Sequence, residues 1–199
     1  MIEEISLERA GGQDLIKRIA ALNACALASA RRLALNPSGA GRIRLGVESL
    51  PSYRDLSDME IAHFAAQPVF LFRPSRLADA LACPAAATLP PDGEMVRRFL
   101  MLLRDLALHA ISSPSVILAI DPADTDKARK LTDDEIEALQ RSTGLTFESR
   151  IEPSQEFRSS TADGWDQEKF LIALLRDLDA QLAKAQRLAP KSVLRPWMR

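Results

Sequence analysis

The chain has 199 residues and a formal net charge of −1, with 47% hydrophobic, 27% charged and 5% aromatic residues. Because it has no net basic charge, the chain as a whole does not attract nucleic acid or an anionic membrane. Any DNA contact must therefore come from a local basic patch or from a partner. The Ala and Leu content favours helix, and we expect a mainly α-helical protein with a largely aliphatic core.

The first half of the chain predicts helices separated by short extended segments. Apolar residues recur at helical spacing in three segments, residues 14–35, 57–67 and 75–82. Extended or deeply buried segments are expected at residues 42–47 and 69–72. Ser57 and Glu60 form the Ser-x-x-Glu pattern of a capping box, in which each side chain satisfies a free backbone amide of the other residue. The breaker-rich residues 36–41 are expected to end the first helix.

The second half predicts the same alternation. Helices are expected at residues 95–111, 132–143 and 166–188, and extended segments at residues 116–120 and 145–148. Thr132 and Glu135 form a second capping box. Loops are expected at residues 84–93 and 154–164. The tail contains two prolines and is not expected to be helical throughout.

An internal repeat relates the two halves. The matching segments are residues 33–35 with 106–108, 43–48 with 116–121, and 56–61 with 131–136; Phe72 matches Phe147 in the register of the last pair. Self-similarity of this kind predicts one structural unit used twice. We therefore predict two helical repeats, residues 1–94 and 95–188, that pack as a pseudo-dimer and precede a basic tail at 189–199. Residues 43–72 and 116–147 are expected to share one backbone fold.

Three parts of the first half carry a resemblance to a known family. They are Ile19-Ala20-Ala21-Leu22-Asn23 with Ala30-Arg31-Arg32-Leu33, then Ile43-Arg44-Leu45-Gly46-Val47, then residues 56–64 followed by Val69-Phe70-Leu71-Phe72-Arg73. Together they resemble the FlhD family of flagellar transcriptional regulators. In that family the second part reads Phe-Arg-Leu-Gly-Ile and the last part reads Cys-His/Arg-Phe-Arg-Phe. With the internal repeat, the chain looks like a divergent, tandemly duplicated relative.

The resemblance implies a helical dimer that joins a zinc-binding FlhC subunit and activates transcription. It also implies that FlhC makes much of the DNA contact, which agrees with the near-neutral charge of this chain. Phe70 stands where the family has a cysteine, so a disulfide between subunits is excluded at that position. We expect two FlhD-like repeats that act with a FlhC-like partner and contact DNA mainly through that partner. The chain could also form homo-oligomers.

Few residues are candidates for catalysis. His63 and His109 are the only histidines, and Glu60 lies one helical turn before His63. A Glu-His pair can transfer protons, but at this spacing it is more often a solvated helix face. His109 near the end of a helix favourably meets the negative end of the helix dipole. Because phosphate-loop, dinucleotide-binding and nucleophile-elbow motifs are also absent, we expect no enzyme activity and no cofactor.

The sequence also predicts no metal site and no membrane span. Cys25 and Cys83 lack the spacing of a zinc site and suit a reducing cytoplasm. The acidic residues between Asp121 and Glu135 lack the central glycine of a calcium loop and are expected at helix starts. The first residues do not read as a signal peptide, and no apolar run approaches about 18 residues. We expect a cytoplasmic protein.

Two basic clusters are the candidate DNA contacts. The first contains Arg73 and Arg76 and precedes a short helix. The C-terminal cluster consists of Arg187, Lys191, Arg195 and Arg199. Either cluster could contact phosphate or simply form a solvated helix end. Trp197 is the candidate partner contact, since Trp is enriched at interface hot spots. The alternative function is a non-catalytic structural or adaptor protein of a motility, secretion or conjugation system.

Overall fold

The structure is a computed structural model that describes residues 2–37, 41–75, 77–82, 92–109, 114–141, 144–153 and 167–188. Its elements are α1 (Ile2–Leu35), β1 (Ile43–Arg44), α2 (Leu50–Arg54), α3 (Asp58–Ala65), β2 (Phe72–Ser75), α4 (Leu77–Ala82), α5 (Gly93–His109), α6 (Pro114–Leu118), α7 (Pro122–Ala128), α8 (Asp133–Arg141), β3 (Thr146–Ser149) and α9 (Gln167–Leu188). The prediction of a mainly α fold with short extended segments is confirmed. Residues 1–155 form one unit, and residues 156–199, with α9, form a second.

The two long helices of the first unit bury matching faces. Helix α1 buries Ile19, Leu22, Asn23, Ala26, Leu27, Ser29, Ala30 and Ala34. The repeat match of Leu33 with Leu106 sets an offset of 73 positions between the two halves. The residues that correspond to these eight at that offset are also all buried: Asp92, Met95, Val96, Phe99, Leu100, Leu102, Leu103 and Ala107. Each long helix packs on the two short helices of its own half, α1 on α2 and α3, and α5 on α7 and α8. The two halves therefore bury their long helices in the same way.

Helices α1 and α5 also pack against each other in antiparallel directions. Near one end of the pair, Arg18 Nη2 lies 2.6 Å from Asp105 Oδ2. Near the other, Ser29 Oγ donates to Asp92 Oδ1 at 2.7 Å, and Arg32 pairs with the same carboxylate. Residue numbers thus rise along α1 as they fall along α5. Both ends of the crossing are held by an ion pair in addition to apolar packing.

Both predicted capping boxes are present. Ser57 Oγ accepts a hydrogen bond from the Glu60 amide at 3.2 Å, and the Glu60 carboxylate accepts one from the Ser57 amide at 2.8 Å. Thr132 and Glu135 repeat this arrangement with the same two distances. The boxes begin α3 and α8, which occupy corresponding places in the two halves. The hydrogen bond from the Thr132 amide, followed by the one from the Thr132 hydroxyl, lowers the pKa of Glu135, because both stabilise the ionised carboxylate.

The structure corrects the prediction for residues 116–120, which are not a strand. Helix α6 covers Pro114–Leu118, and Ala119 follows it with a positive φ of 54°. A short apolar run does not distinguish a strand from a buried helix, whereas Pro114 at the first helical position has its φ preset for a helix. The element that matches β1 is therefore helix α6. The segments 43–72 and 116–147 have the same later elements, two short helices and the start of a strand, but they differ in their first element.

Other differences are smaller. Helices α2 and α7 were not predicted, because each is short, begins near a proline and lacks an apolar period. Residues 69–72 are all buried, but strand β2 begins only at Phe72. The predicted loop at 84–93 lies outside the described residues up to 91, and α5 begins at its last residue, Gly93. The predicted loop at 154–164 and the tail at 189–199 lie outside the described residues. The division at residues 94 and 188 stays a prediction.

Candidate functional site

A three-stranded sheet joins the two halves and contains Arg73, the predicted contact residue whose surroundings the structure describes. The strand order is β1–β3–β2, with β1 parallel and β2 antiparallel to β3. Arg73 of β2 lies opposite Glu148 of β3, and Arg44 of β1 is the partner of Glu148 on the other side. Directly opposite residues project from the same sheet face. Arg44, Glu148 and Arg73 therefore form one row across the sheet.

This ladder brings matching positions of the repeat together. Since Phe72 matches Phe147, the next residue, Arg73, matches Glu148. These two residues are also direct partners in the antiparallel ladder. An antiparallel pair of strands has a local two-fold axis, and here the axis passes between matching positions of the two halves. In a dimer of identical chains the same residue would occupy both places, whereas in this chain a cation faces an anion.

An aromatic cluster lies on the buried face of the sheet. The ring centroids of Phe99 and Phe147 are 5.1 Å apart, and those of Phe70 and Phe147 are 5.9 Å apart, both with near-perpendicular rings. Phe70 also contacts Phe72 at 5.9 Å. All four rings are fully buried. Both halves contribute to the cluster, so the sheet and α5 share one core.

Asn23 on the buried face of α1 holds the chain that leads into β2. Its Nδ2 donates to the carbonyls of Ala65, Gln67 and Val69 at 3.2, 3.4 and 2.9 Å. Its Oδ1 accepts a hydrogen bond from the Leu71 amide at 3.0 Å. Residues 66–71 are not in regular secondary structure, so these bonds replace ladder partners for the polar groups of this segment. Sequence reasoning missed this role, which the amide of Asn23 on the mostly apolar buried face of α1 could have indicated.

Two buried arginines link the halves. Arg42 donates from Nη2 to the Gln140 carbonyl at 2.6 Å and from Nη1 to the Leu145 carbonyl at 3.4 Å, at the end of α8. Burial lowers the pKa of Arg42, and nearby Asp92 opposes that effect. Arg150 Nη1 donates to the Val116 carbonyl at 2.9 Å and to the Phe70 carbonyl of the first half at 3.5 Å. These guanidinium groups bind backbone carbonyls inside the protein, which removes them from contact with phosphate.

Tyr53 of α2 connects the first half to β3. It is fully buried, and its hydroxyl shares a 2.5 Å hydrogen bond with Ser149 Oγ. Burial raises the pKa of Tyr53 above its usual value, with an opposing effect of the Ser149 hydrogen bond and a further increase from Glu152. Ser49, four residues earlier, donates to Glu152. These two contacts hold α2 against β3 and against Glu152, which follows β3.

Two of the predicted site residues, Arg73 and Arg187, lie within the described part of the chain. Arg73 is half-buried in β2, and Arg187 lies in α9. Arg76, Lys191, Arg195, Trp197 and Arg199 lie outside the described residues. Sequence reasoning missed exposed Arg44, although the alternation in residues 42–47 could have placed it on the outer sheet face. These residues therefore stay predictions as DNA and partner contacts.

Three further residues that were considered for catalysis or metal binding have ordinary positions in the fold. His63 is exposed in the last turn of α3, Asp121 accepts the Ala123 amide at the start of α7, and Cys25 is a half-buried free thiol. No group of three or more His, Cys, Asp or Glu side chains is placed to hold a metal ion in the described ranges. Among the helices that the structure describes, none is long and apolar enough to cross a membrane.

Comparison with known proteins adds no relative: no family model, no curated protein and no solved structure matches this chain.

Proposed function

We propose that the chain is a FlhD-like subunit of a transcriptional regulator, which acts without catalysis and binds a zinc-containing FlhC-like partner in the cytoplasm. The observation that carries this proposal is the β2–β3 ladder, in which matching positions Arg73 and Glu148 of the two halves are direct partners. This local two-fold relation supports the proposal that one chain combines two units, where the family resemblance implies two subunits.

The charge distribution supports a division of labour between this chain and its partner. The net charge is −1, and Glu148 lies between Arg44 and Arg73 on the sheet face, which weakens the positive potential there. Arg42 and Arg150 are buried. The chain therefore contributes a few phosphate contacts through Arg73, Arg76 and the C-terminal cluster, while the partner supplies the contacts that read base edges.

Reconstitution with the FlhC-like protein, loaded with zinc, tests the proposal. Isothermal titration calorimetry and light scattering should detect a stable complex. Within that complex, Trp197→Ala should reduce affinity for the partner with little dependence on salt, because it removes an apolar contact. The triple change Lys191→Ala/Arg195→Ala/Arg199→Ala should leave partner affinity intact, reduce DNA affinity and flatten its dependence on salt.

A complex that forms but does not increase DNA affinity would favour the adaptor function in a motility, secretion or conjugation system. Failure of the chain to bind a FlhC-like partner would contradict the proposal.

A further inference from the structure

Helix α9 contains an apolar segment that covers every side of the helix. Residues 170–175 read Phe-Leu-Ile-Ala-Leu-Leu, and six consecutive residues make more than one full turn. Phe170 is buried, whereas Leu171, Ile172 and Leu175 are 54%, 41% and 53% exposed. A helix segment that is apolar on all sides is normally covered on all sides. One side of this segment therefore needs a cover that the described part of the chain does not supply.

The exposed residues form one patch. Leu171, Ile172 and Leu175, which we name the α9 patch, are spaced by one, three and four residues and are neighbours on the helix surface. Single exposed apolar residues are ordinary, whereas a contiguous exposed patch marks an interaction site. The other large apolar side chains that are exposed in the described residues stand singly along the chain: Ile16, Leu35, Val47, Met59, Leu108 and Val116.

The charges beside the α9 patch are complementary to their own reversed order. Glu168, Ile172 and Arg176 are spaced by four residues and form one ridge along the helix. Glu168 and Arg176 are both exposed, and neither has an ion-pair partner among the residues that the structure describes. The anion lies one turn before Ile172 and the cation one turn after it. A reversed copy of this ridge therefore presents a cation opposite each anion.

The other charges of this part of α9 are compatible with the same pairing. Lys169, Ala173 and Asp177 form the adjacent ridge, which is also complementary to its reverse, and both of its charged residues already have interactions within the chain. Asp179 lies one turn beyond Leu175, and its position on a reversed copy precedes the described start of α9. Two cations and three anions nearly balance, so the face does not favour a strongly basic or acidic partner. It favours a partner with its own charge order reversed.

We propose that α9 forms an antiparallel pair with α9 of a second copy of this chain, about a two-fold axis beside Ile172. Ridges spaced by four residues then lie side by side. Leu171 of each copy packs near Leu175 of the other, and Glu168 of each copy pairs with Arg176 of the other. A parallel pair would place each charge against itself. A two-fold contact uses the same patch on both copies, so the α9 patch covers itself. The proposal rests on α9 alone and does not depend on the proposed function.

Sedimentation velocity of the full chain over a concentration series tests the pair. The unchanged chain should sediment increasingly as a dimer as the concentration rises. Leu175→Asp should keep it monomeric over the same range, because a buried carboxylate would face the apolar side chains of the other copy. Val47→Asp is the matched control and should leave the dimer intact, because Val47 is 82% exposed and lies outside α9. Circular dichroism at high dilution should show equal helix content in all three chains.

Charge exchange tests the orientation of the two helices. Glu168→Arg and Arg176→Glu should each raise the dissociation constant of the dimer by about tenfold, because either change turns both ion pairs into like-charge contacts. An equal mixture of the two single variants should form a mixed dimer that regains the affinity of the unchanged chain. The double variant Glu168→Arg/Arg176→Glu should also regain it. Arg97→Glu, an exposed reversal on α5, is the control.

Three results would overturn the proposal. The first is an unchanged chain that stays monomeric at every concentration, and the second is a dimer that Leu175→Asp leaves intact. The third is a mixture of the two charge variants that pairs no better than either variant alone. Binding of a FlhC-like partner, which tests the proposed function, is a separate measurement. Loss of that partner in Leu175→Asp, with a monomeric unchanged chain, would assign the α9 patch to the partner instead.

Discussion

Arg73 and Glu148 lie directly opposite each other in the β2–β3 ladder, at the two positions that the internal repeat matches. Arg44 is the neighbour of Glu148 on its other side. Opposite charges in direct cross-strand contact stabilise an antiparallel pair, and like charges destabilise it. The row of Arg44, Glu148 and Arg73 therefore favours pairing of β2 with β3. Two copies of β2 paired in the same register would instead place Arg73 against Arg73, a like-charge pair that is unfavourable.

Charge reversal tests this row. We expect Arg73→Glu to reduce the free energy of unfolding by about 0.5–1 kcal/mol, and Glu148→Arg to reduce it more, because Glu148 has two arginine neighbours. The double variant Arg73→Glu/Glu148→Arg should recover the free energy of unfolding that each single reversal loses at the β2–β3 pair. Chemical denaturation measures the three values. Arg97→Glu, an exposed change of the same charge on α5, is the control. A double reversal that is no better than Glu148→Arg would contradict the assignment.

The second prediction concerns Asn23. Its replacement by Ala leaves three carbonyls and one amide without their buried partner, and we expect a loss of at least about 3 kcal/mol in the free energy of unfolding. Asn23→Asp keeps the acceptor for Leu71 but turns a carboxylate oxygen toward the carbonyls, so it should be no better. Gln13→Ala, which removes an exposed amide of α1, should change stability by under about 0.5 kcal/mol. Equal losses for Asn23→Ala and Gln13→Ala would refute this role of Asn23.

The third prediction concerns the core between the helices. Leu103 is fully buried in α5, whereas Leu108 on the same helix is exposed. Leu103→Ala should therefore cost about 2–5 kcal/mol, since it leaves a cavity. Leu108→Ala should cost under about 0.5 kcal/mol. Urea titrations of both variants give the comparison, and a small loss for Leu103→Ala would place α5 at the surface.

The fourth prediction uses Tyr53, the single tyrosine of the chain. Burial raises its pKa in the folded state, so this group stabilises the fold fully below the usual tyrosine pKa of about 10 and loses that contribution as pH rises above it. Tyrosinate absorbance should appear only together with unfolding, while denatured protein should titrate near 10. Tyr53→Phe should remove this component of alkaline unfolding. Titration of the folded chain near 10 would show that Tyr53 is solvated.

Much of this fold follows from local sequence rules. Helical periodicity predicts α5, α9 and residues 14–35 of α1, which in the structure begins already at Ile2. The Ser57 and Thr132 capping boxes mark the starts of α3 and α8, because these signals depend on nearby residues only. Residues 116–120 were assigned wrongly because a five-residue apolar run is compatible with either a strand or a buried helix.

The candidate site was harder to predict, since its residues meet only through tertiary contacts. Alternation places Arg42 and Arg44 on one strand face, but the chain bends at Arg42, which is buried against Gln140 while Arg44 is exposed. The pairing of Arg73 with Glu148 depends on strand register, and no pattern within either strand specifies its partner strand. The repeat alignment was the one sequence feature that linked these two positions.

A mobility-shift titration of duplex DNA tests the central claim most directly. It compares the chain alone, the FlhC-like partner alone and the two together, each at two salt concentrations. We expect the chain alone to bind weakly, with little sequence preference and a shallow salt dependence, because few basic residues are available for phosphate. The complex should bind more tightly and more specifically than either component. Tight binding of one DNA sequence by the chain alone at physiological salt would contradict the account.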